Sequence, residues 1–159
     1  MDQPGVVLSI HLLTAHGKPP VPAAEARALV GHGLEGDVHG KRKPDSSRQV
    51  LLVDRRTLEA IGFPHGALRE QLTVDFPGLD HLLPGTLLRV GEAILEITGP
   101  CDPCETIGQL NAAADPAVLR DALQGRRGMV ARVVAVRRQG RIRRGDTVVV
   151  DTARPVSTP

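Results

Sequence analysis

The sequence predicts a mainly β fold, a barrel or sandwich with two or three short helices. Thirteen prolines and 17 glycines cut the chain into short segments. The segments between them favour strand over helix. The regular strand–helix alternation of a parallel α/β sheet is missing. At 159 residues the chain is long enough to bury a core without staples, which predicts a single domain over residues 5–151 and a flexible tail over 152–159.

Val6 to Leu12 reads as the first strand, with Leu8, Ile10 and Leu12 on one face. Lys18-Pro19-Pro20-Val21-Pro22 is a turn or an edge segment, because proline cannot donate to a ladder. Ala26 to Val30 forms a second strand. Gly31 to Gly40 carries four glycines before the basic loop that follows, a density that points to positive φ or close backbone approach. Arg48 to Asp54 is the third strand, and Asp54 caps a short helix through Ile61.

Leu72 to Val74 is a further short strand. Leu87–Val90 and Ala93–Thr98 form a hairpin around Gly91-Glu92, where glycine in first position suits a type II′ turn. Asp115 caps the strongest helix, with Pro116 at its first position and Gly125 beyond its end. Met129 to Val136 is an apolar, valine-rich run expected to be buried on both faces, with Arg132 its one charge. Gly140 and Gly145 bracket a short basic hairpin before a last strand, Thr147 to Val150.

Composition narrows the function. The apolar runs cover only a few residues, far from the roughly 20 that cross a bilayer. The N-terminus lacks a signal-peptide pattern, so the expected setting is cytoplasmic, with no membrane partner. Phe63 and Phe76 are the only Phe, Tyr or Trp residues, which provides poorly for stacking nucleic-acid bases. Arg126 through Arg144 holds eight arginines and no acid, so an anion could dock there. For Arg137 to Arg144 a solvated face is the preferred reading, and nucleic-acid binding ranks last.

The segment most suited to chemistry is Gly99-Pro100-Cys101-Asp102-Pro103-Cys104-Glu105. Two thiols three positions apart could be a dithiol redox pair, half of a zinc site, or a frame around one reactive thiolate. A redox pair normally has a thioredoxin-like βαβ context. A structural zinc would need ligands from scattered histidines such as His32 or His39, and none is expected. A single reactive cysteine gains from these gaps, while the redox, zinc and inert, buried-thiol readings stay open on spacing alone. Asp37 and His39 either serve a ligand or cap a glycine turn; His11, His16, His65 and His81 show no informative spacing.

Taken in order, GLEGDVHG, RQVLLVD, LREQLTVD, LLPGTLLRVGEAILEITGPCDPC and GRRGMVARVVAVRRQGRIRRGDTVVV resemble the MOSC domain, the module also found at the C-terminus of molybdenum cofactor sulfurases. The resemblance runs from about Val6 to Val150. It implies a β-barrel that binds molybdenum cofactor (molybdopterin), or passes sulfur to it, with one cysteine as persulfide carrier or molybdenum ligand. That cysteine follows a proline near a strand end, which matches Cys104; Cys101 is the secondary candidate. The glycine-rich Gly-Asp-x-His turn matches Asp37 and His39, and Arg48 matches an arginine that opens the next strand. Many members have Arg-Glu-Asn where this chain has Arg69-Glu70-Gln71.

Guanidinium groups bind phosphate in bidentate fashion, so Arg48, Arg69, Arg126 and Arg127, with Glu70, Asp37 and His39 beside them, form the expected cofactor-binding set. The family is associated with pyridoxal phosphate through the sulfurases, yet no pyridoxal-dependent, iron–sulfur or flavin module is present in this sequence. A sulfur-donor or electron-donor protein is therefore the expected partner, with a molybdoenzyme as recipient if the chain is a non-catalytic carrier. As a catalyst it would act in sulfur transfer or in molybdenum-dependent reduction of N-hydroxylated compounds.

Overall fold

A computed structural model describes residues 4–41, 44–102, 111 and 115–152. The fold is mainly β. Eleven strands are described: β1 (Gly5–Leu12), β2 (Val21–Ala23), β3 (Glu25–Leu29), β4 (Gly33–Leu34), β5 (Val50–Asp54), β6 (Leu72–Asp75), β7 (Leu87–Val90), β8 (Ala93–Pro100), β9 (Met129–Val136), β10 (Arg141–Arg143) and β11 (Thr147–Val150). Two α-helices accompany them among the described residues, α1 (Arg55–Ile61) and α2 (Pro116–Ala122).

The large sheet runs β11-β7-β8-β9-β5-β6-β1-β2, and pairing of β11 with β1 closes seven of these strands into a barrel. Strand β2 stays outside the ring, where Pro22 sits opposite His11 on an edge that tolerates a missing donor. The barrel is filled by Leu, Val, Ile and Ala side chains, among them Ile10, Leu52, Leu72, Leu88, Leu95 and Ile97. Closure leaves no open edge between these strands.

Most neighbours are antiparallel, but β5 and β6 run parallel. A parallel pair requires a crossover, and α1 supplies it. Asp54 caps that helix by accepting from the Arg56 N–H, and Gly62 ends it at φ 73°. Val53, Leu58, Leu68 and Leu123 form a second, smaller core beneath the crossover and α2. At α2 the Asp115 carboxylate accepts from the N–H groups of Ala117 and Val118, with Pro116 at the first position.

Three expectations need correction. In β1, Val7 and Ile10 face the core rather than Leu8 and Ile10. Pairing with β6 jumps between Val7 and Ser9, so Leu8 is the extra residue of a bulge that flips the alternation. The basic segment between Gly140 and Gly145 is not a hairpin of its own: it supplies the single strand β10, which pairs with β3 in a small sheet ordered β10-β3-β4. Strand β9 is buried on both faces only at its start, and Arg132 lies outward, paired with Glu96 at 2.6 Å. The expected turn between β7 and β8 is present, with Gly91 at φ 55°.

No helix among the described residues is long and apolar enough to cross a membrane.

Candidate functional site

The parallel pair β5–β6 brings the entries of two strands side by side, and β9 lies antiparallel against β5. Their approaches carry Arg48 and Gln49, Arg69 and Gln71, and Arg127. The end of β8 adds Cys101, the turn after β1 adds His16, and the short helical turn Val38–Lys41 adds His39. These side chains line one open pocket of about 660 Å³, solvent at its mouth included.

Gln71 binds the site together. Its Oε1 accepts from the Leu51 N–H at 2.7 Å, and its Nε2 lies 3.3 Å from both carboxylate oxygens of Asp37. Asp37 is buried. It also accepts from the Leu13 N–H at 2.8 Å and the His39 N–H at 2.9 Å, and its Oδ1 is 2.7 Å from His39 Nδ1. Burial alone would raise the Asp37 carboxyl, but the hydrogen bonds from His39 and from the Leu13 backbone outweigh it and hold it below the usual carboxylate range.

Arg69 takes a left-handed backbone, φ 62°, and its guanidinium donates to the Lys18 carbonyl at 2.9 Å. Glu70 is fully buried and braces the preceding turn. It accepts from the N–H groups of Gly66 and Leu68 at 3.0 and 3.1 Å and from the Thr73 hydroxyl at 2.7 Å. That brace orients Leu68, whose carbonyl accepts from Arg127 Nη2 at 2.8 Å.

Arg127 is buried, and its Nε and Nη1 have no hydrogen-bond partner among the described residues. Gln49 repeats the pattern. Its Oε1 accepts from the Val133 N–H at 2.9 Å while its buried Nε2 is unpartnered among the described residues. Buried donors left unpaired cost about 1–3 kcal/mol each, so two such side chains on one pocket wall mark a place where acceptors belong. Gly128 sets Arg127 in position: at φ 107°, a Cβ there would stand 2.5 Å from the Leu52 carbonyl oxygen. Only glycine lets the chain pass so close to β5.

Cys101 is buried at the pocket wall, with Arg48 Nη2 3.9 Å from its Sγ, and its N–H donates to the Gly128 carbonyl. Cys104 lies outside the described residues. Of the other expected residues, Asp37, His39, Arg48, Arg69 and Arg127 converge here, Asp37 from behind His39. Glu70 acts behind the wall as a brace. Arg126 is exposed beside Arg127, with Nε donating to the Ala122 carbonyl at the end of α2, so it does not line the pocket. Gln49 and His16 escaped the sequence reading, since a glutamine at a strand entry and an isolated histidine carry no spacing signal.

The ordered motifs, the closed barrel and this pocket define a family. The MOSC domain model matches residues 35–149, and the chain belongs to the MOSC domain family. The fold is similar to that of the YuaD protein from Bacillus subtilis, with a TM-score of 0.75 and 18% identity over 92% of this chain and 94% of that one. It is also similar to YiiM from Escherichia coli, with a TM-score of 0.70 and 20% identity over 95% of this chain and 71% of that one. YiiM from Geobacillus stearothermophilus gives a TM-score of 0.68 and 19% identity over 92% and 75% of the two chains. At such identities the likeness is one of fold. No curated protein matches the sequence significantly. MOSC domains are associated with molybdenum cofactor binding in general.

Proposed function

We propose that this protein holds molybdenum cofactor, or a sulfur-bearing relative of it, in the arginine-lined pocket. A cysteine of the Cys101/Cys104 pair would then serve in sulfur transfer or in molybdenum-dependent removal of oxygen from N-hydroxylated compounds. The observation that carries this reading is the set of buried donors on Arg127 and Gln49 that have no partner among the described residues. A phosphate-bearing cofactor supplies the acceptors those groups lack, and planar guanidinium groups suit phosphate oxygens.

Arg48, Arg69 and Arg127 would hold the anionic part, with Gln49 and His39 contributing further N–H contacts. When bound, the group supplies a metal that exchanges electrons and an oxygen or sulfur atom with a substrate. The protein's own part is to bind the anion, orient the group against the cysteine, and keep the thiol in the form that ligates a soft metal or carries sulfane sulfur. Cys104 is the proposed ligand or carrier on the strength of the family resemblance, and Cys101, beside Arg48, is the second candidate. A sulfur or electron donor from outside the chain completes the reaction.

The test is expression in a host that makes the cofactor, followed by measurement of bound molybdenum and cyanide-releasable sulfur. Wild type is expected to retain one or both, and Cys104→Ala to lose them. Near-zero values in wild type would overturn the reading, and undiminished values in Cys104→Ala would reassign the role to Cys101. Turnover of an N-hydroxylated base with a one-electron reductant separates a reductase from a carrier, which binds stoichiometrically and reduces nothing.

A further inference from the structure

His39 is held in a way that the pocket's anion-binding role does not by itself require. Its Nδ1 lies 2.7 Å from Asp37 Oδ1, and the imidazole side chain is 22% exposed. Gln71 Nε2 is also 3.1 Å from Nδ1. The Gln71 amide is oriented by the Leu51 N–H on its oxygen, so the group facing Asp37 and His39 is its NH₂. A contact as close as 2.7 Å between Nδ1 and an ionised carboxylate requires the proton on Nδ1, and the Gln71 N–H groups then go to Asp37. The second ring nitrogen, Nε2, is left for the pocket that His39 lines.

We propose that His39 is the proton-carrying contact of this pocket: with Nδ1–H committed to Asp37, Nε2 takes up a proton as an oxyanion binds and donates it in a hydrogen bond to that oxyanion. The inference rests on the pocket's being an anion site. Uptake forms one N–H bond from a solvent proton, and the imidazolium charge is shared between Asp37 on one side and the ligand on the other. An N⁺–H···O⁻ bond is roughly twice as strong as a neutral one, which favours the protonated ring once the anion is present. Among the described residues, the charged and titratable groups around the imidazole are Asp37 on its own turn, His16 after β1, Arg48 before β5, Arg69 before β6, Cys101 after β8 and Arg127 before β9. Arginine does not titrate in this range, so His16 and the Cys101 thiol are the competing titratable groups, and the His39→Gln profile excludes both.

Sulfate is a suitable probe because it carries phosphate-like geometry and does not itself titrate near neutrality. Its affinity for the full chain should rise as pH falls across the imidazole range, about pH 5 to 8, by up to tenfold per unit for one proton taken up. His39→Gln should bind with little pH dependence, whereas His16→Gln should keep the wild-type pH slope even where its affinity changes. Nitrogen-15 spectra of the wild-type histidines should show His39 in the Nδ1–H form when neutral, a readout that needs no variant to fold. Absence of sulfate binding in wild type would overturn the anion-site reading. Binding with a flat pH profile, a profile unchanged in His39→Gln, or a neutral Nε2–H tautomer would overturn the role of His39 alone.

Discussion

Gln71 places its amide nitrogen 3.3 Å from both carboxylate oxygens of Asp37 while its oxygen accepts from the Leu51 N–H at 2.7 Å. One side chain thus ties the entry of β5 to the turn that presents His39. The length of the side chain matters, since it spans two fixed partners. Gln71→Asn is one methylene shorter and loses one of the two contacts, for an expected cost of about 1–2 kcal/mol. Urea denaturation of the two proteins measures it, and equal midpoints would show that asparagine reaches both partners.

Glu70 should be more sensitive. It is completely buried and accepts from Gly66, Leu68 and Thr73. Glu70→Gln replaces an acceptor oxygen by an NH₂ facing other donors, which is expected to cost about 2–4 kcal/mol. Thermal unfolding checks this, and a loss of anion affinity should accompany it, because the same turn carries the Leu68 carbonyl that holds Arg127.

Buried Asp37 and half-buried Asp80 act on stability in opposite senses. Asp37 is held below the usual carboxylate range because its hydrogen bonds outweigh its burial. Its contribution is therefore present above the unfolded value of about 3.9 and lost as pH falls through the folded value. Asp80 is raised by burial and by the charge of Asp54, against the Gly128 N–H it accepts. It favours folding below the unfolded value and loses that contribution as pH rises through the folded one. Asp80→Asn keeps an acceptor for Gly128 and should stabilise at about pH 7, with a smaller effect at about pH 3. Asp37→Asn should destabilise at about pH 7 and flatten the acid limb. Urea midpoints at the two pH values test both signs.

Arg127 separates stability from binding. Arg127→Met forfeits the bond to the Leu68 carbonyl but also removes two buried N–H groups that lack partners among the described residues. These changes oppose each other, so the unfolding free energy should move by less than about 2 kcal/mol. Molybdenum retained on purification should fall at least about tenfold, the equivalent of about 1.4 kcal/mol. Retention at the wild-type level would remove Arg127 from the binding set.

Much of the fold was legible in sequence because its cues are local. Gly91 could be read as a hairpin turn, Asp54 and Asp115 as helix caps, and Met129 to Val136 as a strand, since each depends on a residue and its near neighbours. The inversion at Leu8 was not legible, because a bulge is set by the strand opposite. Nor was the pairing of β10 with β3, where Arg141 meets Glu25 at 2.6 Å across a wide sequence gap.

By itself, then, the sequence determined an aromatic-poor, mainly β domain resembling the MOSC barrel and nominated Cys104, Cys101, Asp37, His39, Arg48, Arg69, Glu70, Arg126 and Arg127. The tertiary structure decided which arginines share a wall. Arg126 and Arg127 are adjacent in the chain, yet the turn through Gly128 buries Arg127 in the pocket and leaves Arg126 exposed at the end of α2. It also recruited Gln49, whose amide nitrogen is buried without a partner among the described residues, a feature no motif encodes. The physical reason is that a pattern of residue types reports local preference, whereas an unpaired buried donor exists only after strands distant in sequence have closed around it.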